Sequence, residues 1–425
     1  MEKIYLKNYK GFRDQVIVLE DVNFFVGENS TGKTSVLKII NLLASSKFWF
    51  DFEFNNEEIE LGYFEEIITK NIDEKFIQIG LEKYIDFHQN KDKSEKLRLL
   101  LEFKQLDSVP SLDKIKITTG DYDLFIKISK EEIKYKLKQV SGNSFEDWVK
   151  DLTFGGNYQK IEFPFSGIPF PLIVDLVRQE IKKKTDKSLS STKFYQEKLY
   201  TNYNWIAPIR AKPKRIYESY QINFSAEGDH IPQVLRQILS KSTSKNQKKI
   251  ISTLEKFGAE SNLFDKIEVK ELGKKNSSPF EINVKYKDVE VKLPNVGYGV
   301  SQSLPIIIEV LSSSNSCFTI QQPEVHLHPR AQSAFGSFLF NSIVNDKNQF
   351  IIETHSDFTI NRFRYEMLKS KTKKEINSKV LFFERNEKGN SIVEIKINKN
   401  GSYQEDMPES YRDFFIDEEL KLLEI

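Results

Sequence analysis

Gly27-Glu28-Asn29-Ser30-Thr31-Gly32-Lys33-Thr34 is the stretch on which the reading of this chain turns. A glycine at each end lets the backbone curl until successive N–H groups point inward. Such a curl cradles phosphate oxygens, and the helix that follows adds the positive end of its dipole. Lys33 has the reach for β- and γ-phosphates, and Thr34 offers a hydroxyl to Mg²⁺. The flanks suit the mechanism. Val22 to Val26 is a short apolar run that predicts a strand entering the loop, and Thr34 to Leu43 has helical spacing. Gly27, Asn29, Ser30, Thr31, Gly32, Lys33, Thr34 and Ser35 are therefore the candidate nucleotide-binding residues, with ATP and Mg²⁺ as the expected ligands.

Outward from this loop, the 425 residues have room for one large domain with insertions or for a few ordinary ones, and 39% hydrophobic residues are enough to build a core. Lys plus Arg, 63, nearly cancels Asp plus Glu, 62, so overall charge argues neither for nor against nucleic acid. Local basic clusters at Lys182 to Lys184, Lys212 to Arg215, Lys248-Lys249 and Lys369 to Lys374 read as solvated faces. A single cysteine, Cys317, excludes an intrachain disulfide framework and reads as a small core residue. No stretch is apolar for the roughly 18 residues of a membrane span, and Met1 leads directly into a strand pattern, so a cytoplasmic protein is expected.

Three further motifs follow in order. Gly297-Tyr298-Gly299-Val300-Ser301-Gln302-Ser303 precedes a helix expected over Gln302 to Leu311. Gln321-Gln322-Pro323-Glu324-Val325-His326-Leu327-His328-Pro329 stands at the end of a buried strand, Phe318 to Ile320. Glu353-Thr354-His355-Ser356-Asp357 ends another, Gln349 to Ile352. The carboxyl ends of such strands are where open α/β sheets bind ligands. A metal centre on His326 and His328 has the right side chains but no third ligand nearby. Between residues 60 and 140 alternating runs such as Phe76 to Leu81 and Leu124 to Ile128 predict antiparallel strands, and a helical segment follows over Ile231 to Phe257.

Taken in this order, the four motifs resemble the ABC-type ATPases of the SMC, Rad-type repair and OLD families. They are most similar to the stand-alone OLD-like ATPases of bacterial defence systems, such as the Septu ATPase. The opening Leu6-Lys7-Asn8-Tyr9-Lys10-Gly11-Phe12 and the segment Trp205-Ile206-Ala207-Pro208-Ile209-Arg210 belong to the same resemblance. It implies an α/β ABC-type P-loop core assembled from residues 1–45 and 293–425. An antiparallel β lobe is expected over 46–142, and a mostly helical insertion with connecting strands over 143–292. It gives Gly299, Ser301 and Gln302 the role of a signature that contacts ATP held by an opposite subunit. It makes His355 the γ-phosphate switch, puts Lys10 near the nucleotide, and places Arg210 at an interface or near phosphate. A homodimer or higher homo-oligomer follows, since the P-loop and the signature then serve different nucleotides.

The chain departs from that family at Gln321 and Gln322, where an acidic metal ligand and a catalytic glutamate are usual. Glutamine carries no charge for Mg²⁺ and cannot act as a carboxylate base, which puts hydrolysis, though not nucleotide binding, in question. Three accounts stand open: a Glu→Gln change introduced at 321 to trap the ATP state, a natural loss of turnover, or a catalytic role taken over by Glu324 or Glu353. The 68 residues after Asp357 hold no Asp-x-Asp pair of a TOPRIM nuclease. The expected function is a sensor and scaffold of antiphage defence that controls a separate effector, a nuclease or toxin. The alternative is a RecF-like repair ATPase that clamps duplex DNA.

Overall fold

The fold is taken from a computed structural model that describes residues 2–56, 58–86, 94–119, 122–129, 132–140, 144–151, 156–162, 170–184, 203–218, 223–240, 244–275, 277–372 and 374–415. Parts of the insertion expected over 143–292, residues 185–202 among them, and residues 416–425 lie outside the described residues. The chain divides into two compact units. One comprises Met1–Glu20, Glu28–Asn202 and Phe383–Ile392, the other Asp21–Gly27, Tyr203–Phe382 and Val393–Ile425. These boundaries differ from the division read in the sequence. The first two strands join the β-rich lobe in one sheet, and residues 203–292 contribute a strand and helices to the unit that holds the parallel sheet.

The first unit is built on an antiparallel sheet in the order β2-β1-β4-β5-β6-β7-β8-β9. Its strands are β1 (Glu2–Tyr9), β2 (Phe12–Leu19), β4 (Phe76–Asp86), β5 (Ser94–Leu106), β6 (Val109–Thr119), β7 (Tyr122–Ile128), β8 (Glu132–Gln139) and β9 (Gln159–Glu162). Helices α1 (Lys33–Ala44), α2 (Ser46–Asp51), α3 (Phe64–Ile67), α4 (Phe145–Lys150) and α5 (Phe170–Lys184) belong to the same unit. Period-two alternation sorts β5 into Leu97, Leu99, Leu101 and Phe103 on one face and Arg98, Leu100 and Glu102 on the other. All of them are buried. On the apolar face Phe52 and Phe54 meet Phe103 edge to face, with Phe48 against both. The other face is covered by α4, and its charges are paired. Arg98 Nε donates to Glu82 Oε2 at 2.7 Å and Gln78 Nε2 to Glu102 Oε2 at 2.8 Å. Gly80 makes room for that cover, since a Cβ there would stand 2.9 Å from Tyr5 Cβ and 3.4 Å from the Phe145 ring.

The second unit carries the sheet β10-β14-β15-β3-β16-β17. Its strands are β3 (Val22–Gly27), β10 (Tyr203–Ile206), β14 (Cys317–Gln321) and β15 (Gln349–Glu353), with the start of β16 (Ser378–Asn386) as far as Phe382 and the end of β17 (Gly389–Ile397) from Val393. β10, β14, β15 and β3 pair in parallel. Continuous apolar runs in β3 and β15 fit strands covered on both faces. One face is covered by α6 (Ile231–Ser240), α7 (Lys245–Ser261), α8 (Tyr298–Leu311), α9 (Pro329–Asp346) and α10 (Asp357–Lys369), which share one core with the sheet. A small antiparallel sheet of β11 (Lys266–Glu271), β12 (Phe280–Tyr286) and β13 (Val289–Lys292) completes it.

Two local expectations change. The helical segment over 231–257 is two helices, and Ser244 starts the second with a capping box to Gln247. Among the connecting strands, β12 and β13 form a hairpin that turns at Lys287, φ 50°. Cys317 is half-buried at the first position of β14, where its thiol reaches Gln349 Oε1 at 3.1 Å, instead of lying in the core. Among the described residues no helix is long and apolar enough to cross a membrane.

Lys116 is fully buried under α4. Its ammonium donates to the carbonyls of Trp148 at 2.6 Å and Asp151 at 3.0 Å and lies 4.3 Å from the centroid of the Trp148 ring. Burial pushes its pKa down to about 8, against the pull of Asp123 and Asp151. The unfolded chain keeps the ordinary lysine value, so between pH 8 and the lysine range unfolding takes up a proton and stability rises with pH. Below pH 8 the full penalty applies. Measured by denaturation at pH 7.5, 8.5 and 9.5, stability relative to Lys116→Met is expected to increase with pH. A flat difference would show that the ammonium is not penalised.

Candidate functional site

In the first unit the glycine-bracketed loop leads into α1. Ser30 and Gly32 adopt positive φ, 64° and 100°, and Gly32 is the N-cap of α1. A side chain at Gly32 would also strike the Phe12 ring, 2.6 Å from the position of its Cβ. No side chain caps α1 and no carboxylate occupies its first turn, so the dipole end is not neutralised from within the helix. The Lys33 ammonium folds back on the Glu28 carbonyl at 2.6 Å, and Thr31 Oγ1 donates to the same oxygen at 2.8 Å. The loop is thus held in shape by its own lysine. Glu28, Asn29, Ser30 and Thr34 are exposed and Ser35 half-buried, while Gly27 closes β3 in the second unit. Lys10, φ 45°, donates to the Leu61 carbonyl at 2.9 Å, and burial lowers its pKa. In this structure its ammonium serves the fold of its own unit.

In the second unit, register brings the strand ends together. Gln321 of β14 stands beside Glu353 of β15, and Glu353 beside Phe25 of β3. Gln321 is buried and both ends of its amide are used. Its Oε1 accepts from Trp205 Nε1 at 3.1 Å, and its Nε2 donates to Glu353 Oε2 at 3.0 Å. Gln322 follows with φ 42°, and its N–H donates to the Glu353 carbonyl at 2.8 Å. Both oxygens of Glu324 are committed, Oε2 to Thr354 Oγ1 at 2.8 Å and Oε1 to the His355 N–H at 2.7 Å. Burial raises the pKa of Glu324, although these bonds and Arg210 favour its charge. Arg210 reaches in behind β10, and its Nη2 donates to the Gln321 carbonyl at 2.9 Å. Burial lowers its pKa to about 10, which leaves it charged at neutral pH.

This strand end does not fit a Mg²⁺ site. The only group at position 321 with a lone pair for a metal is an amide oxygen turned to Trp205, and the Glu324 oxygens are spent on the following loop. Gln321 was expected as a metal position; here it is a hydrogen-bond bridge. Glu353 is the carboxylate nearest to it in register.

The signature motif sits differently from the sequence reading. The helix starts at Tyr298 with Gly297 as N-cap, so Ser301 and Gln302 fall one turn inside it and are buried. Ser301 Oγ turns back to the Tyr298 carbonyl at 3.0 Å. The exposed members are Gly297 and Tyr298. Gly299 permits a close approach to the next loop, since its Cβ would lie 3.2 Å from the His326 carbonyl. Pro305 inside the helix removes the N–H that the Ser301 carbonyl would otherwise accept.

His326 is exposed at φ 66°, its ring 5.4 Å from that of Tyr298. His328 caps α9, accepting from the Arg330 N–H at 3.3 Å. No group of three or more His, Cys, Asp or Glu among the described residues could hold a metal ion. His355 is half-buried, and Phe414, from a helix that begins at residue 409, stacks on it with centroids 6.3 Å apart. Glu324, a candidate to replace the missing catalytic acid, is here tied to Thr354 and to the His355 N–H. Trp205 and Phe414 join the network without having been candidates, and no local pattern signals their part.

A family profile described as AAA ATPase domain matches residues 1–360. No curated protein matches the chain. Among solved structures it is similar to the SMC head domain from Thermotoga maritima, at 14% identity and a TM-score of 0.40, covering 92% of this chain and 97% of that one. An SMC head bound to the C-terminal winged-helix domain of ScpA matches at 12% identity and 0.44, covering 93% and 98%. An SMC head with an extended coiled coil bound to the C-terminal domain of ScpA, from Pyrococcus furiosus, matches at 12% and 0.43, covering 99% and 100%. With its phosphate-binding loop folded and its parallel strand ends aligned in a mixed α/β architecture, the chain belongs to the AAA ATPase domain family of P-loop ATPases.

Proposed function

We propose that this ATPase-family chain works as a nucleotide-gated switch: it binds ATP, pairs with a second copy while ATP is present, and turns the nucleotide over slowly. The observation that carries the reading is the neutral strand end. Gln321 and Gln322 supply no charge for a metal and no general base, yet Gln321 is hydrogen-bonded at both ends of its amide. A glutamate in its place would face Glu353 across a contact of 3.0 Å, so the amide is the side chain this network accommodates. Binding needs only the loop and helix N-terminus around Lys33.

Pairing is supported by where large apolar side chains are left in water. Ile209, Tyr298 and Phe358 are exposed, and they adjoin Arg210, Gly299 and the segment after His355. Apolar side chains at a polar site suit a surface that a second molecule covers. The likeness of the four motifs to stand-alone OLD-like ATPases supports the biological setting: a sensor and scaffold of antiphage defence that holds or releases a separate effector, a nuclease or toxin. The trigger releases the effector by changing the paired state.

Light scattering after size exclusion, with and without Mg-ATP, is expected to show a doubled mass only with ATP, and Lys33→Ala is expected to stay at the monomer mass. A wild-type chain of unchanged mass at saturating ATP would sink the pairing. Gln321→Glu creates a carboxylate pair with Glu353, and phosphate release is expected to rise about tenfold or more and to become strictly Mg²⁺-dependent. No gain would mean that the missing carboxylate is not what limits turnover. In cells carrying the chain with its neighbouring genes, Lys33→Ala should abolish protection in phage plating, and plating that never differs from an empty vector would remove the defence role.

A further inference from the structure

The segment after β10, helix α6 and helix α8 enclose a cavity of about 210 Å³, and every residue that lines it belongs to the second unit. Its deep walls are apolar, since Ile231, Leu235, Ile282, Leu293 and Leu304 are all buried. Its outer wall, residues 211–218, is tied down at both ends. The Ala211 N–H donates to the Glu227 carbonyl at 2.9 Å, and Tyr217 exchanges both backbone bonds with Phe280 and stacks on its ring at 5.5 Å. Between them the Tyr217 hydroxyl accepts from the Lys214 N–H at 3.0 Å. The space is bounded by fixed backbone, as a formed ligand site is.

Charges of both signs surround it. Lys212 and Lys214 line the cavity, and so do Glu218 and Asp229. Asp229 is half-buried and the other three are exposed. None of the four makes an ion pair among the described residues, so opposite charges share one cavity without meeting. The basic cluster from Lys212 to Arg215, read in the sequence as a solvated face, thus lends two of its lysines to a concave site. On the α8 side Ser301 and Pro305 line the same space, and Pro305 has no N–H for the Ser301 carbonyl.

An apolar interior between unpaired cations and unpaired carboxylates suits a ligand that carries both charges on an apolar body. A ligand of one charge would leave one set unanswered. A volume below the roughly 300–1,000 Å³ of drug-sized sites limits the occupant to about the size of an amino acid. We propose that this cavity binds a small apolar zwitterion, with the chemistry of an α-amino acid of the leucine or phenylalanine kind, free or at the start of a short peptide. Lys212 and Lys214 take its carboxylate, Asp229 and Glu218 take its ammonium, and the apolar walls take its side chain. The inference goes beyond the proposed function and does not depend on nucleotide binding.

Calorimetric titration of the full chain tests it, with L-phenylalanine, L-leucine, glycine, 3-phenylpropionate, 2-phenylethylamine and leucyl-glycyl-glycine as probes. L-phenylalanine or L-leucine is expected to bind at least about tenfold more tightly than either singly charged analogue, and glycine, which lacks the apolar body, to give no heat. The charged residues are at the surface, so their variants keep the fold. Lys212→Gln with Lys214→Gln is expected to cost the amino acid about tenfold and to leave 2-phenylethylamine unchanged. Asp229→Asn should do the reverse, weakening the amine and sparing 3-phenylpropionate. Tighter binding of leucyl-glycyl-glycine than of leucine would assign the zwitterion to a peptide, and the opposite order to the free amino acid; both support the site. Absence of binding by leucine, phenylalanine and the peptide alike would overturn the proposal. Equal affinity for phenylalanine and a singly charged analogue would overturn it too, as would amino-acid binding that none of the charge variants alters.

Discussion

Parallel pairing of β14, β15 and β3 in one register is the constraint on which the second unit's chemistry depends. The pairing sets Gln321 beside Glu353 and Glu353 beside Phe25, and β3 then runs two residues further to Gly27. Side chains at three distant points of the chain meet because a parallel ladder aligns strands by position from a common edge. Slipping one strand by a residue would turn Gln321 or Glu353 to the opposite face of the sheet. The apolar residues of one face, Phe318, Ile320, Phe350, Ile352 and Phe24 among them, are what hold that register.

Given the register, the polar groups at the strand end are organised by the demand that buried donors and acceptors find partners. Gln321 links Trp205 to Glu353, and Glu324 ties its own loop to Thr354 and to the backbone of His355. These bonds connect the third and fourth motifs to one another and to the Trp205 segment. Arg210 is the exception: its Nη2 donates to the Gln321 carbonyl, while Nε and Nη1 are buried without a hydrogen-bond partner among the described residues. The same accounting explains the first unit, where Lys116 is buried at the cost of a lowered pKa but has carbonyls and an aromatic face to receive it.

The glycine-bracketed loop, the helix that follows it and several strands of both sheets were legible in the sequence, for a local reason. Loop curvature is written in glycines at 27 and 32, and strand or helix in the period of apolar residues. The signature motif was legible as a motif but not in its orientation. Whether Ser301 faces water or core depends on where the helix begins, and Gly297 rather than the expected later residue is the N-cap. The unit boundaries were hidden for a similar reason, since only pairing partners show that β1 belongs with β4 rather than with β3.

The sequence by itself located a glycine-bracketed loop between a strand and a helix, because that pattern depends on residues adjacent along the backbone. It also put neutral glutamines at positions 321 and 322. What that neutrality means was decided only by tertiary structure. Whether Gln321 is a lost ligand or a fitted bridge depends on Trp205 and Glu353, which are 116 and 32 residues away. No local pattern encodes such contacts; they exist only once the parallel sheet has set its register.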